Sequence, residues 1–186
     1  IRDKNLQNKS ISRLLFDSGK TLWIGTNKGL IEYNPDNQQS RLYSKEDGLT
    51  NSEISFLFFD DQHTLWVGTA AGVFRKTNHG FVRIAELPEE HVRVIFQDKD
   101  NTVWVSFRTT LYIGQGETFQ RYIFEKDLSS YAQMNEIFED REGTIWMGSF
   151  FSGLHSYGDG NVVTYTTRDG LNSDIIYHLY EDSKKN

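Results

Sequence analysis

Asp17 to Tyr33 reads DSGKTLWIGTNKGLIEY, and a close copy returns three times. Asp60 to Phe74 reads DDQHTLWVGTAAGVF, Asp98 to Tyr112 reads DKDNTVWVSFRTTLY, and Asp140 to Tyr157 reads DREGTIWMGSFFSGLHSY. Each copy sets an Asp six residues before a Trp and a Thr two residues before it. The Trp residues are Trp23, Trp66, Trp104 and Trp146, spaced by 43, 38 and 42 residues, and they are all four tryptophans of the chain. A large residue used at one phase of a period marks a structural unit.

One period reads as four short strands. ISRLLFD (Ile11 to Asp17), TLWIGT (Thr21 to Thr26), LIEYN (Leu30 to Asn34) and SRLYS (Ser40 to Ser44) are separated by tight polar turns. A small antiparallel meander cannot bury both faces alone, and stacking against its neighbours does so. The expected fold is therefore all-β: a β-propeller of four four-stranded antiparallel blades plus one further strand. The repeats run over about 11–49, 54–88, 92–127, 134–168, with the fifth opening strand IIYHLYED at 175–182. Four blades and a strand make a fragment of a larger propeller of about seven blades. Each Trp fits the gap between two sheets. Asp17, Asp60, Asp98 and Asp140 suit turns, where a carboxylate accepts backbone N–H bonds. The alternative role for these Asp residues, calcium ligation, lacks the glycine and distal glutamate of a calcium loop.

Composition limits the partners. The chain has 186 residues, 37% hydrophobic and 25% charged, enough for a domain with a core. Its net charge of −6 disfavours nucleic acid and anionic membranes. It has no cysteine, so thiol chemistry is excluded. No apolar run reaches the length of a membrane span. The chain opens on Ile1 and reads as a segment of something longer, with any membrane segment outside it. Histidines His63, His79, His91, His155 and His178 fall at unrelated phases, with no metal-ligand spacing. No phosphate loop or nucleophile elbow is present. No cofactor, metal or catalytic residue is expected.

The combination TLWIGTNKGLIEY, TLWVGTAAGVF and TIWMGSFFSGL, with EDGL at Glu46–Leu49 and RDGL at Arg168–Leu171, resembles the two-component regulator propeller repeat. The Trp-Asp pair of a WD40 blade is absent, and the Asp-box of sialidases has a different spacing. The resemblance implies a periplasmic, ligand-sensing domain of a bacterial transmembrane signalling protein, with oligosaccharides as ligands in many relatives. It implies an output module, a histidine kinase or diguanylate cyclase, beyond this segment, and no enzyme within it. A polysaccharide-acting propeller enzyme and a protein-interaction propeller are the alternatives. The third repeat departs from the pattern, with Ser106 and Phe107 in place of Gly25 and Thr26, and Thr110 in place of Gly29.

Strand direction alternates, so the turn between second and third strands shares one end of a blade with the inter-blade links. These turns differ among blades while the strands do not, as a scaffold carrying a site would. The candidate ligand residues are Arg108, Phe107, Phe150, Phe151, Asn27 and Lys28: exposed aromatics and cations able to stack on and hydrogen-bond a sugar or acidic ligand. The competing role for Phe150 and Phe151 is to plug the gap to an adjacent blade. An open arc leaves apolar faces and an unpaired edge, so self-association of this chain is expected.

Overall fold

The computed structural model describes residues 4–122 and 133–182. The chain divides into two compact units, Ile1–Val92 and Arg93–Asn186. Each holds two four-stranded antiparallel sheets whose strands are ordered as in the sequence. In the first unit these are β1 (Ile11–Phe16), β2 (Leu22–Thr26), β3 (Gly29–Asn34) and β4 (Gln39–Tyr43), then β5 (Ile54–Phe59), β6 (Leu65–Thr69), β7 (Gly72–Thr77) and β8 (Gly80–Arg83). In the second they are β9 (Val94–Gln97), β10 (Val103–Ser106), β11 (Leu111–Gln115) and β12 (Thr118–Tyr122), then β13 (Met134–Glu139), β14 (Ile145–Ser149), β15 (Leu154–Gly158) and β16 (Asn161–Tyr165). Each sheet is one blade. Residues 123–127 of the third repeat and most of the link EKDLSSYAQ lie outside the described residues.

The Trp-x-Gly motif has a packing cause. Ile54, which opens blade two, rests on Gly25 of blade one; a Cβ there would lie 2.7 Å from Ile54 Cγ2. Val92 rests on Gly68, at 2.7 Å from such an atom, and Ile176 on Gly148, at 2.8 Å. The glycine is a seat for the first residue of the following blade. The departure in the third repeat is local to this seat. Ser106 replaces the glycine and its Oγ donates to the Met134 carbonyl at 3.1 Å. An unbranched methionine there accommodates the extra atoms that Ile or Val would meet. Gly68→Ala is expected to destabilise the first unit by about 1–3 kcal/mol through overpacking. Gly158→Ala, whose new atom meets nothing within 4 Å, should change stability by a few tenths of that; urea denaturation of both variants compares them.

The DGL of the links is also structural. Ser44 and Asp47 form a reciprocal cap over Lys45–Asp47, closed by Gly48 at φ 94°. This drops Leu49, fully buried, among Trp23, Leu30 and Tyr43 of blade one and Ile54, Leu57 and Phe81 of blade two. The second copy repeats the cap with Thr166 and Asp169.

The Asp-to-Trp spacing closes the first turn of each blade. Asp60 Oδ1 accepts from the Gln62 and Thr64 N–H groups at 3.0 and 2.7 Å, and Oδ2 from Trp66 Nε1 at 2.8 Å. Asp98 and Asp140 bind Trp104 and Trp146 in the same way, at 2.7 and 2.8 Å. Burial alone would raise the Asp140 carboxyl; the bonds from Trp146 and the Thr144, Glu142 and Gly143 N–H groups outweigh it and hold it below the ordinary range. Blade one differs: Asp17 accepts from Thr21 N at 2.8 Å, while the Trp23 Nε1 donor is buried without a partner.

The segment Ile175–Asp182 corrects one expectation. It belongs to no sheet among the described residues. An opening strand pairs with the second strand of its own blade, and the described residues contain none for it. It nevertheless occupies an opening strand's place on blade four. Ile176 N–H donates to the Ser149 carbonyl at 2.7 Å, as Val92 N–H donates to Thr69 at 3.0 Å. Arg141 pairs with Glu181 at 3.2 Å, one repeat after Lys99 pairs with Glu139 at 3.3 Å.

Candidate functional site

The turn between second and third strands is normally closed by its Thr. Thr26 Oγ1 donates to Gly29 O at 2.7 Å, and Thr69 Oγ1 to Gly72 O at 2.9 Å. Blade three replaces this device with an aromatic one. Phe107 stands where Thr would, 1% exposed, and meets Tyr112 edge-on with centroids 5.7 Å apart. The expectation that Phe107 is exposed to ligand is thus corrected: its ring substitutes for the missing hydroxyl closure by filling the turn from inside. With the ring turned inward, the following residue, Arg108, is exposed.

The same turn is one residue longer in blade four, with seven steps from Trp146 to Gly153 against six from Trp23 to Gly29. Phe150 is half-buried and Phe151 is 57% exposed. Phe150 stacks edge-on against Tyr177 of the 175–182 segment with centroids 5.6 Å apart, and lies at 5.9 Å from Phe151. Phe150 therefore fills the gap to the following segment, while Phe151 is presented.

A residue that sequence reasoning missed connects these two turns. Val94 pairs with Ser106, and Arg93 N–H donates to the Ser106 carbonyl at 2.8 Å, which sets Arg93 beside the Phe107–Arg108 turn. Its guanidinium donates to Gln133 Oε1 at 2.5 Å and lies over the Phe150 ring, 5.8 Å from the centroid. Its Nε is buried with no hydrogen-bond partner. Burial, and then the charge of Arg108, hold the Arg93 guanidinium below its ordinary pKa. The signal was present in the repeat phase. The residue after the seat-filling one is Ser12, Ser55 and Asn135 in the other blades, but Arg93 in blade three and Tyr177 in the last segment. At Ser12, Ser55 and Asn135 the strand register shifts, a bulge that re-aims a side chain.

Asn27 and Lys28 belong to the first unit and are not brought to this cluster. Asn27 Oδ1 accepts from Ser10 N–H at 3.0 Å, so it ties the N-terminal segment to β2. Lys28 is exposed. Among the described residues no group of three or more His, Asp or Glu has metal-holding geometry. The serine–histidine contacts in blade four, Ser152 Oγ to His155 Nε2 at 2.9 Å and His155 Nδ1 to Thr164 Oγ1 at 2.9 Å, lie in the sheet interior, with His155 fully buried. No helix of the described residues is long and apolar enough to cross a membrane.

Comparison with known proteins follows the same lines. The family profile described as "Two component regulator propeller" matches residues 5–28 and 86–109. No curated protein matches the chain. Among solved structures, the chain is similar to the extracellular domain of the hybrid two component system BT3049 from B. thetaiotaomicron, at 26% identity and TM-score 0.76, over 97% of this chain and 25% of that one. It is similar to the corresponding domain of BT4673 from the same organism, at 19% identity and TM-score 0.79, over 95% of this chain and 25% of that one. It is also similar to virginiamycin B lyase from Staphylococcus aureus, at 13% identity and TM-score 0.70, over 90% of this chain and 58% of that one. The chain thus spans about a quarter of the length of the two-component structures it matches. With the Trp-x-Gly seat in blades one, two and four and the Asp–Trp bond in blades two, three and four, the chain has a β-propeller fold whose repeats are similar to the two component regulator propeller.

Proposed function

We propose that the chain is part of the periplasmic, ligand-sensing domain of a bacterial transmembrane signalling protein, with a soluble oligosaccharide as the class of ligand and the output module elsewhere in the protein. The observation that carries this is the turn cluster of blades three and four. Arg108 and Phe151 are exposed there, beside a fixed Arg93 and an aromatic wall, on strands whose own residues serve packing. The likeness to extracellular domains of two-component systems supports it. The lyase likeness shows that the fold also carries enzymes, so activity is tested alongside binding.

Thermal unfolding of the chain against a panel of oligosaccharides tests the reading. A ligand at a hundredfold excess over its Kd adds about 2.7 kcal/mol, a rise of roughly 5–10 °C for a chain of this size. No rise across the panel would sink the sensing role. Release of new reducing ends from any polysaccharide would favour the enzyme alternative.

The partner reading includes a second copy of this chain. Ile11, Leu14 and Phe16 of β1 are 54%, 60% and 62% exposed. The counterparts of Ile11 and Leu14 in blades two and four, Ile54, Leu57, Met134 and Ile137, are at most 6% exposed. An apolar sheet face of this kind draws another chain onto it. Light scattering is expected to show self-association at micromolar concentration, and a monomer there would overturn this part.

A further inference from the structure

We infer that the turn cluster of blades three and four binds an anionic group, a carboxylate or sulfate carried on a ring, between the guanidinium groups of Arg93 and Arg108. The inference rests on the sensing role proposed above and specifies the chemistry of its ligand.

Three observations carry it. First, neither guanidinium has a carboxylate partner among the described residues, although the chain holds 26 acidic residues against 20 basic ones. Three exposed cations elsewhere are paired: Arg41 with Asp47 at 3.0 Å, Lys99 with Glu139 at 3.3 Å, Arg141 with Glu181 at 3.2 Å. Two like charges left together in an acidic protein repel one another, and a bound anion relieves that repulsion.

Second, Arg93 is held ready. Gln133 accepts from one terminal nitrogen and the Phe150 ring lies against the guanidinium, so its rotamers are limited before any ligand arrives. Its Nε–H is buried and has no hydrogen-bond partner among the described residues. A planar fork with free donors matches the two oxygens of a carboxylate or sulfate, which a lysine in its place would not.

Third, the surroundings suit a ring. Phe151 is 57% exposed and Tyr177 is 63% exposed, both in contact with Phe150. Such faces stack on a sugar or aromatic ring while the guanidinium groups hold its charged substituent. A bare cation is excluded by the two arginines, and a neutral ring would leave their charge unanswered.

The test uses the arginine side-chain Nε–H resonances of the whole chain. Glucuronate is titrated at constant ionic strength and compared with glucose, the same ring without the charge. Saturable shifts of the Arg93 and Arg108 signals with glucuronate, absent with glucose, are expected. Arg108→Gln should weaken glucuronate binding about tenfold or more, the worth of one charge-assisted hydrogen bond, with an unchanged melting temperature because Arg108 is exposed. Arg93→Lys should weaken it as well while keeping the charge. Equal response to glucose and glucuronate would overturn the anionic assignment and leave the sensing role standing. No saturable shift with either glucuronate or sulfate would overturn the site itself, whatever the oligosaccharide panel shows.

Discussion

Trp104→Ala is expected to lower the stability of the Arg93–Asn186 unit by about 3–5 kcal/mol. The ring is 2% exposed. It spans two blades: its edge-on partner, 5.3 Å between centroids, is Tyr157 of blade four. Tyr157 in turn meets Tyr122 of blade three at 5.8 Å, so one aromatic cluster joins both sheets. Truncation removes the ring from that cluster and leaves the Asp98 carboxylate without its Nε1 donor. Trp104→Phe separates the two effects. It keeps most of the apolar area and loses the hydrogen bond, which is worth about 1.5–3 kcal/mol to a charged acceptor. Urea denaturation read by circular dichroism measures both. A loss below about 1 kcal/mol for the alanine variant would mean that the ring does not bridge the blades.

Acidification from pH 6.5 to pH 4 is expected to cost the same unit about 3 kcal/mol through one residue, His155. Burial lowers its pKa to about 4, against about 6.5 for an exposed histidine. Above pH 6.5 the ring is neutral in both the folded and the unfolded chain, and no stability depends on it. Between the two values the unfolded chain binds a proton that the folded chain refuses, so stability falls as the pH falls. His155 faces Met147 on β14. The matching position in blade two, facing Val67, holds the fully buried Phe74. The slope is expected to flatten in His155→Phe. A wild-type unfolding midpoint that stays level from pH 6.5 to pH 4 would contradict a buried, neutral His155.

The blades were legible in the sequence because one phase carries several physical jobs at once. Trp, Asp and Gly each fill a site that exists only when a neighbouring strand is present, so their spacing reports the sheet and its stacking together. The candidate site was legible only in part. Arg108 and Phe151 could be placed at a blade end by counting strands, and both are exposed there. Phe107 could not, because whether an aromatic turns inward depends on the Thr it replaces, and that closure shows only in the hydrogen bonds of Thr26 and Thr69. Arg93 was overlooked because it sits within an apolar stretch, VRVIF, that reads as a strand interior. Its partner Gln133 lies 40 residues away, a separation no local pattern reports.

The glycine seat governs how such a chain can be rebuilt by copying. A stretch beginning at Ile54 and ending at His91, just before Val92, carries its own Gly68 and supplies a branched side chain for the Gly25 before it. Duplicating or deleting that stretch keeps a glycine opposite a branched residue at every junction, so blade number can change in whole steps. The Ser106–Met134 junction has left this common currency. Its serine, placed against Ile54 or Val92, would set a Cβ where the other seats have less than 3 Å to spare. Blade three and blade four are therefore heritable as a pair, whereas blade two can be exchanged or repeated alone.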